Sequence, residues 1–449
     1  MSDEQHQELD SGKGTPETSV EPEEQAREVV KALSNDDHEQ IISRFSDNLI
    51  TDFTEKIPST FEVYLQPEPE PVLNEHWLAL TALYGEFKGI SANESQQDDE
   101  ATNVAVTLEF QEQTHPLQLT ITPEGQLSDL TFAAGYEPPE YVDISQIEER
   151  DVTIETDDVE LGGTLTVPED STNVPGVVFV HGSGGLDRDY TTGANKLLKD
   201  LAWGLADHGI ASIRYDKRNF VTDVPPEEFD IESVVIDDAI TAVDRLGAVE
   251  EVDTERRFVV GHSLGGTCGT YIADQHDEVA GIINLDGPTL GSAADLFLSA
   301  VQERWEQQDD ISEYGKKQVR QAEELAERIE AGEIEQDETT ALGVSGAWIQ
   351  SYNRYAEEWL ATTSSLSIPR FIVVTGRDTP NQAAQWEETL RTELDDSNTD
   401  VRFYQDVNHY FQRGDTPSSF LEPVKFRKPP AGTVIGDIAE WISTTAERN

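Results

Sequence analysis

Cysteine is almost missing from this chain: Cys268 is the single one in 449 residues. A lone thiol excludes an intramolecular disulfide, and its place on a segment that reads as a helix facing a sheet makes it a small core residue. Basic residues are scarce too, 31 Lys and Arg against 90 Asp and Glu, for a net charge of −59. With no basic stripe to neutralise phosphates, nucleic-acid binding is argued against, and so is an anionic membrane surface. No apolar run reaches the roughly 20 residues that span a bilayer. The opening Met-Ser-Asp-Glu-Gln-His carries neither a positive region nor an apolar stretch. The expectation is therefore a cytoplasmic chain without a signal peptide.

The acid residues are spread over the whole chain, including segments that read as helix and strand. That distribution fits a salt-adapted surface better than an acidic interaction tail. In molar salt the Debye length is only ~3 Å, so like charges scarcely repel. In dilute buffer the same charges oppose compactness. The composition resembles that of halophilic archaeal proteins.

Residues 1–22 are acidic and polar and read as a disordered tail. Over 23–136 the pattern is that of a small α+β domain. Ala26, Val29, Val30 and Leu33, then Ile41, Ile42, Phe45, Leu49 and Ile50, predict two helices. A third helix includes Trp77 to Tyr84. Alternating strands follow at 103–110, 117–122 and 127–132, with Pro123-Glu124-Gly125 as a hairpin turn. Residues 137–150 are a Pro-containing linker. From 151 to 449 a hairpin (Val152–Thr156 and Leu161–Pro168) leads into apolar strands near 176–180, 211–215, 258–260, 281–285, 371–374 and 401–404. Helices are predicted at 194–208, 232–247, 264–275 and 433–445. Continuous apolar strands joined by helices predict a mostly parallel sheet covered on both faces, hence an α/β fold. Residues 289–368 are too long for a simple crossover and read as a helical cap inserted over the sheet edge that carries the site.

The chemistry centres on Gly261-His262-Ser263-Leu264-Gly265. An apolar strand precedes it and a helix follows, so Ser263 sits at the apex of a sharp turn whose glycines remove bulk. A serine nucleophile needs a base, and the base needs an orienting carboxylate. His409 follows the strand at 401–404, whereas His276 lies at a solvated helix end. Asp378, just past the strand at 371–374, is the expected acid. Asp286, before Gly287-Pro288, is the rival and reads more readily as a turn former. The backbone N–H groups of Leu264 and Ser183 are the expected oxyanion donors, with Gly184 the alternative to Ser183. Gly182 lets the backbone approach the substrate. A phosphate loop at 181–185 is argued against by the lack of Gly-Lys-Ser/Thr.

Charged loop residues Asp187, Arg188, Asp189, Arg214, Asp216, Lys217 and Arg218 read first as structural ion pairs and second as contacts to a polar substrate. Trp348, Tyr352, Tyr355 and Trp359 form one helical stripe, read as packing against the body, with a pocket lining as the alternative. Gly182, Gly184, His262, Trp348 and Tyr352 are the candidate substrate contacts.

The elbow, the order Ser263, acid, His409, and the motifs His181-Gly-Ser-Gly-Gly-Leu-Asp-Arg-Asp189 and Arg214-Tyr-Asp-Lys-Arg218 together resemble the α/β-hydrolase superfamily over about 150–446. The two motifs look like its esterase, dienelactone-hydrolase-like and serine-aminopeptidase-like branch. That branch usually has Pro where Gly185 stands. The opening helix pair, the Trp/Leu segment, Gly85-Glu86-Phe87 and the final meander resemble the DUF3887 domain, of cystatin/NTF2-like shape. The resemblance implies a carboxylic esterase with no metal and no organic cofactor, acting on a small-molecule ester. Peptidase or thioesterase chemistry is the alternative within enzymes. A ligand- or partner-binding N-terminal module, with the hydrolase as effector or with a homodimer through that domain, is the alternative outside them.

Overall fold

The computed structural model describes residues 21–55, 62–98, 100–132, 134–306, 311–340, 343–395 and 397–446. Almost all of the expected tail at 1–22 lies outside them. The N-terminal unit packs helices Pro22–Ser34, His38–Ile42, Asp47–Glu55 and Pro69–Tyr84 on one four-stranded sheet. Its strands Phe87–Gln97, Thr102–Phe110, Thr114–Ile121 and Leu127–Thr131 pair antiparallel in chain order. The helix face Ala26, Val29, Val30 and Leu33 is buried with Val104, Val106, Leu117 and Leu119. The strand Phe87–Gln97 has no counterpart in the sequence reading. It is a polar edge strand, mostly exposed, and so lacks the apolar alternation that marks its neighbours.

The second sheet has eight strands. In spatial order they are Thr399–Tyr404, Arg370–Thr375, Gly281–Leu285, Val252–His262, Val174–Val180, Ala211–Tyr215, Glu160–Pro168 and Ile147–Glu155. The last two form the expected hairpin, starting four residues before the predicted boundary; the hairpin joins antiparallel and all other pairings are parallel. Along Val174–Val180, Val177 and Phe179 face one layer and Val178 and Val180 the other. Helices Leu197–Asp207 and Gly432–Ala446 cover the first face; Asp237–Gly247 and Leu264–Gln275 cover the second. Helix Pro380–Glu393, absent from the sequence reading, joins the two outermost parallel strands. It buries only Ala383 and Leu390, so its apolar stripe is weak.

The chain order reverses beside Val252–His262: the strand on one side comes earlier in the chain and the strand on the other side later. Loops leaving all three carboxyl ends therefore meet at one crevice, the usual place for a ligand in such a sheet. Among the described residues, three helices, Ala293–Glu306, Glu313–Glu330 and Gly346–Ser365, lie between Gly281–Leu285 and Arg370–Thr375.

The two units interlock. Leu421 and Phe426, from the segment after His409, are buried in the hydrophobic core of the N-terminal unit. Trp305 donates to the carbonyl of Val63 at 2.8 Å, and Arg304 pairs with the buried Glu75 at 2.6 Å. No helix among the described residues is long and apolar enough to cross a membrane.

Candidate active site

The strand Val252–His262 runs straight into helix Leu264–Gln275, and the turn between them is one residue, Ser263, at φ 55° and ψ −123°. That left-handed backbone is strained for a serine and holds only because its neighbours enforce it. A Cβ on Gly261 would lie 2.0 Å from the carbonyl oxygen of Gly265, and one on Gly265 would lie 2.2 Å from that of Val180. Glycine is therefore required at both positions. The backbone N–H of Leu264 opens the helix, where the first donors lack an intrahelical partner and suit an anion, whereas those of Gly266 and Thr267 already donate to the carbonyl of Ser263 at 2.8 and 3.3 Å.

The imidazole of His409 is held by a carboxylate. Its Nδ1 donates to Oδ2 of Asp286 at 2.6 Å. Asp286 ends the strand beside the nucleophile strand and is itself at φ 55°. Its Oδ1 accepts the backbone N–H of Thr375 at 2.8 Å, and its Oδ2 also accepts the Thr375 hydroxyl. Asn284 braces the turn, accepting the N–H of Gly287 at 2.8 Å and donating to its carbonyl at 3.0 Å.

The expected acid, Asp378, is not the residue on the imidazole. Its Oδ2 accepts the backbone N–H of His409 at 2.7 Å, so it anchors the loop instead of the ring nitrogen. The assignment of Asp378 to Nδ1 is thus corrected to Asp286. Both residues end strands on the same sheet edge, and only the path of the histidine loop separates them. Burial lowers the basicity of His409, but the hydrogen bond and charge of Asp286, with the charge of Asp378, outweigh it and leave the ring raised above its ordinary value. Burial raises the Asp378 carboxyl against the opposing pull of the His409 N–H and of Arg377.

His262, expected as a substrate contact, is fully buried behind the site. Burial holds its pKa well below the ordinary value, with the nearby His409 adding to the effect, so the ring is neutral. Its Nε2–H donates to the carbonyl of His409 at 2.9 Å. It is a brace of the histidine loop, which corrects the earlier reading. The rest of that loop is held from below. Asn408 donates to Glu422 at 3.1 Å, and Glu422 pairs with Arg377 at 2.6 Å, both side chains of that pair having no exposure.

On the other side, Gly182 sits against the nucleophile: a Cβ there would lie 3.1 Å from Cβ of Ser263 and 2.6 Å from the hydroxyl of Tyr190. Ser183 and Gly184 are exposed, with Gly184 at φ 92°. On helix Gly346–Ser365 the aromatic stripe is buried. Trp348 stacks on Tyr352 at 4.9 Å between centroids, and Trp359 has no exposure. Of the four, Tyr352 lines a cavity of about 490 Å³, together with Pro288, Leu290, Asp295, Glu303 and Trp386, and Trp348, Tyr355 and Trp359 are packed in the hydrophobic core. Cys268 is buried, and its thiol is pushed up to about 12 by that burial, so it is no nucleophile.

Sheet order, a serine at the elbow after Val252–His262, and a histidine held by the carboxylate at the end of the neighbouring strand define the α/β-hydrolase class. The alpha/beta hydrolase family model matches residues 177–419, more than half of the chain, and the chain belongs to that family. Esterase EstD of Thermotoga maritima is 31% identical over 375 residues, covering 82% of this chain and 86% of that protein. That match extends beyond the eight-stranded part into the N-terminal unit. Among solved structures, an esterase of Pyrobaculum calidifontis is similar at 14% identity and TM-score 0.42, covering 67% of this chain and 86% of that one. Brefeldin A esterase, described as a bacterial homologue of human hormone sensitive lipase, is similar at 14% identity and TM-score 0.42, over 71% of this chain and 81% of that one.

Proposed function

We propose that the protein hydrolyses carboxylic esters through an acyl-enzyme. The observation that carries this reading is the His409–Asp286 pair at 2.6 Å, set beside a serine locked in the elbow conformation. Ser263 Oγ attacks the ester carbonyl carbon while its proton passes to Nε2 of His409. The carbonyl π pair moves onto oxygen, where the N–H groups of Leu264 and Ser183 receive the charge. The tetrahedral species collapses, and His409 returns the proton to the departing alkoxide. Water then repeats the sequence, releasing the acid and free Ser263. Asp286 keeps the proton of the neutral ring on Nδ1 and stabilises the imidazolium. No metal ligand enters these steps.

The 31% identity to an esterase supports the ester as substrate. The N-terminal unit we read as a support of the hydrolase body, since Leu421 and Phe426 complete its core. The salt-adapted reading of the charge and a cytoplasmic location go with this proposal.

The test is a fluorophosphonate probe and p-nitrophenyl esters of graded chain length, in molar salt. Labelling and turnover are both expected, and Ser263→Ala abolishes both. Full activity in that variant removes the mechanism. Labelling without ester turnover directs the search to peptides or thioesters.

A further inference from the structure

The end of strand Ala211–Tyr215 and the turn after it carry four near-consecutive charges, Arg214, Asp216, Lys217 and Arg218, and one of them behaves differently from the others. Arg214 pairs with Glu149 at 2.6 Å and Asp189 at 2.9 Å. Asp216 pairs with Arg188 at 2.7 Å. Arg218 pairs with Asp158 and Asp238, each at 2.6 Å. These are structural ion pairs that fix the loops. Lys217 is 2% exposed and forms no ion pair among the described residues. Its Nζ donates instead to the carbonyl oxygen of Gly182 at 2.7 Å. Its backbone N–H donates to the carbonyl of Leu186 at 3.0 Å, so one residue grips the loop 182–186 at both ends.

A lone buried ammonium is costly to keep and persists where something requires it. The Gly182 carbonyl and the Ser183 N–H belong to one planar trans peptide, so they point in opposite directions. Fixing the oxygen on Lys217 turns the N–H the other way. Gly182 packs on Cβ of Ser263, so that peptide borders the place where an oxyanion would form. We propose that Lys217 is a positioning residue of the oxyanion loop, holding the Gly182–Ser183 peptide so that the Ser183 N–H faces the developing oxyanion. Its charge also polarises that peptide, which makes the N–H a stronger donor. Burial brings the ammonium down to about 8, with Cys268 and Asp238 pulling the other way, so it is still charged at neutral pH.

The proposal rests on the acyl-enzyme reading above. Its test compares wild type, Lys217→Met and Lys217→Gln by kcat, by KM, by affinity for a trifluoromethyl ketone transition-state analogue, and by Tm. In Lys217→Met, kcat and analogue affinity are expected to fall together by about 10- to 100-fold, somewhat less than the ~10²–10³ lost when an oxyanion donor is removed outright. KM stays within about two-fold of wild type, because ground-state binding is not the lost interaction. Tm does not fall, because an unpaired buried charge has been removed. Lys217→Gln keeps a donor of similar reach and recovers part of the loss. Should the methionine variant fail to fold, the glutamine variant carries the test with a smaller parallel drop. Unchanged analogue affinity, or a kcat loss that merely follows a fall in Tm, overturns the proposal. Turnover surviving in Ser263→Ala would instead overturn the reading beneath it, so the two failures are distinct.

Discussion

Replacing Asp286 by asparagine separates two carboxylates that both touch His409. In the folded protein Oδ1 of Asp286 accepts the Thr375 N–H at 2.8 Å, and that donor cannot be reversed. An asparagine there must place its carbonyl oxygen on Thr375 and its NH₂ toward His409. Nδ1 then has to accept a proton instead of donating one. The ring proton moves to Nε2, the nitrogen that should take the serine proton. An Asp-to-Asn change that imposes this tautomer costs about 10⁴ in kcat in a serine protease triad. We expect a loss of about 10³ to 10⁴ here, or ~4–5.5 kcal/mol of barrier at about 1.36 kcal/mol per tenfold. Asp378→Asn differs, because an amide oxygen still accepts the His409 backbone N–H, so the loss stays below about tenfold, as expected for a loop held in place. The measurement is kcat on a p-nitrophenyl ester in molar salt, as a function of pH. Since the Asp286 carboxylate raises the pKa of His409, its removal moves the acid limb of the residual profile to lower pH. The reasoning fails if Asp378→Asn loses as much as Asp286→Asn, or if the acid limb moves only in the Asp378 variant.

Gly287→Ala places a Cβ 1.9 Å from the carbonyl oxygen of Ser263, so the elbow must shift; a displacement of that kind costs about 10² in kcat, read by steady-state kinetics with Tm as control. Phe426→Ala empties a site with no exposure in the N-terminal core and should destabilise the protein by about 3–5 kcal/mol. Because the same segment carries Glu422, calorimetry should show a single lowered transition with turnover falling alongside; a separate N-terminal transition with an unaffected hydrolase would contradict the interlock. The net charge of −59 predicts loss of circular dichroism signal and activity on dilution from about 3 M to about 0.1 M KCl, as the Debye length grows from under ~3 Å to ~10 Å. Unchanged spectra and rates across that range would refute the salt-adapted reading.

Much of the fold was legible because its signals are local. The runs at 176–180, 281–285 and 371–374 are apolar on both faces and have no other place than a covered sheet. Weak patterns hid two elements: the polar edge strand Phe87–Gln97 and helix Pro380–Glu393, which buries only Ala383 and Leu390. The aromatic spacing at Trp348, Tyr352, Tyr355 and Trp359 marked a buried face, yet spacing does not say which member reaches a cavity. Likewise, Lys217 looked like one more loop charge until Arg214 and Arg218 were seen to hold carboxylates and Lys217 a carbonyl.

The sequence by itself singled out Ser263 and His409 as candidates. A strand, a glycine-flanked serine and a helix form one continuous piece of chain, and the suitable histidine comes after it in the order the class requires. Which aspartate serves that histidine was decided only in three dimensions. Asp286 and Asp378 both follow apolar strands and both reach the same edge of the sheet. The histidine loop passes between them, giving its backbone N–H to one and its ring to the other. That choice depends on contacts between segments 123 and 31 residues apart, and no local pattern in either segment encodes it.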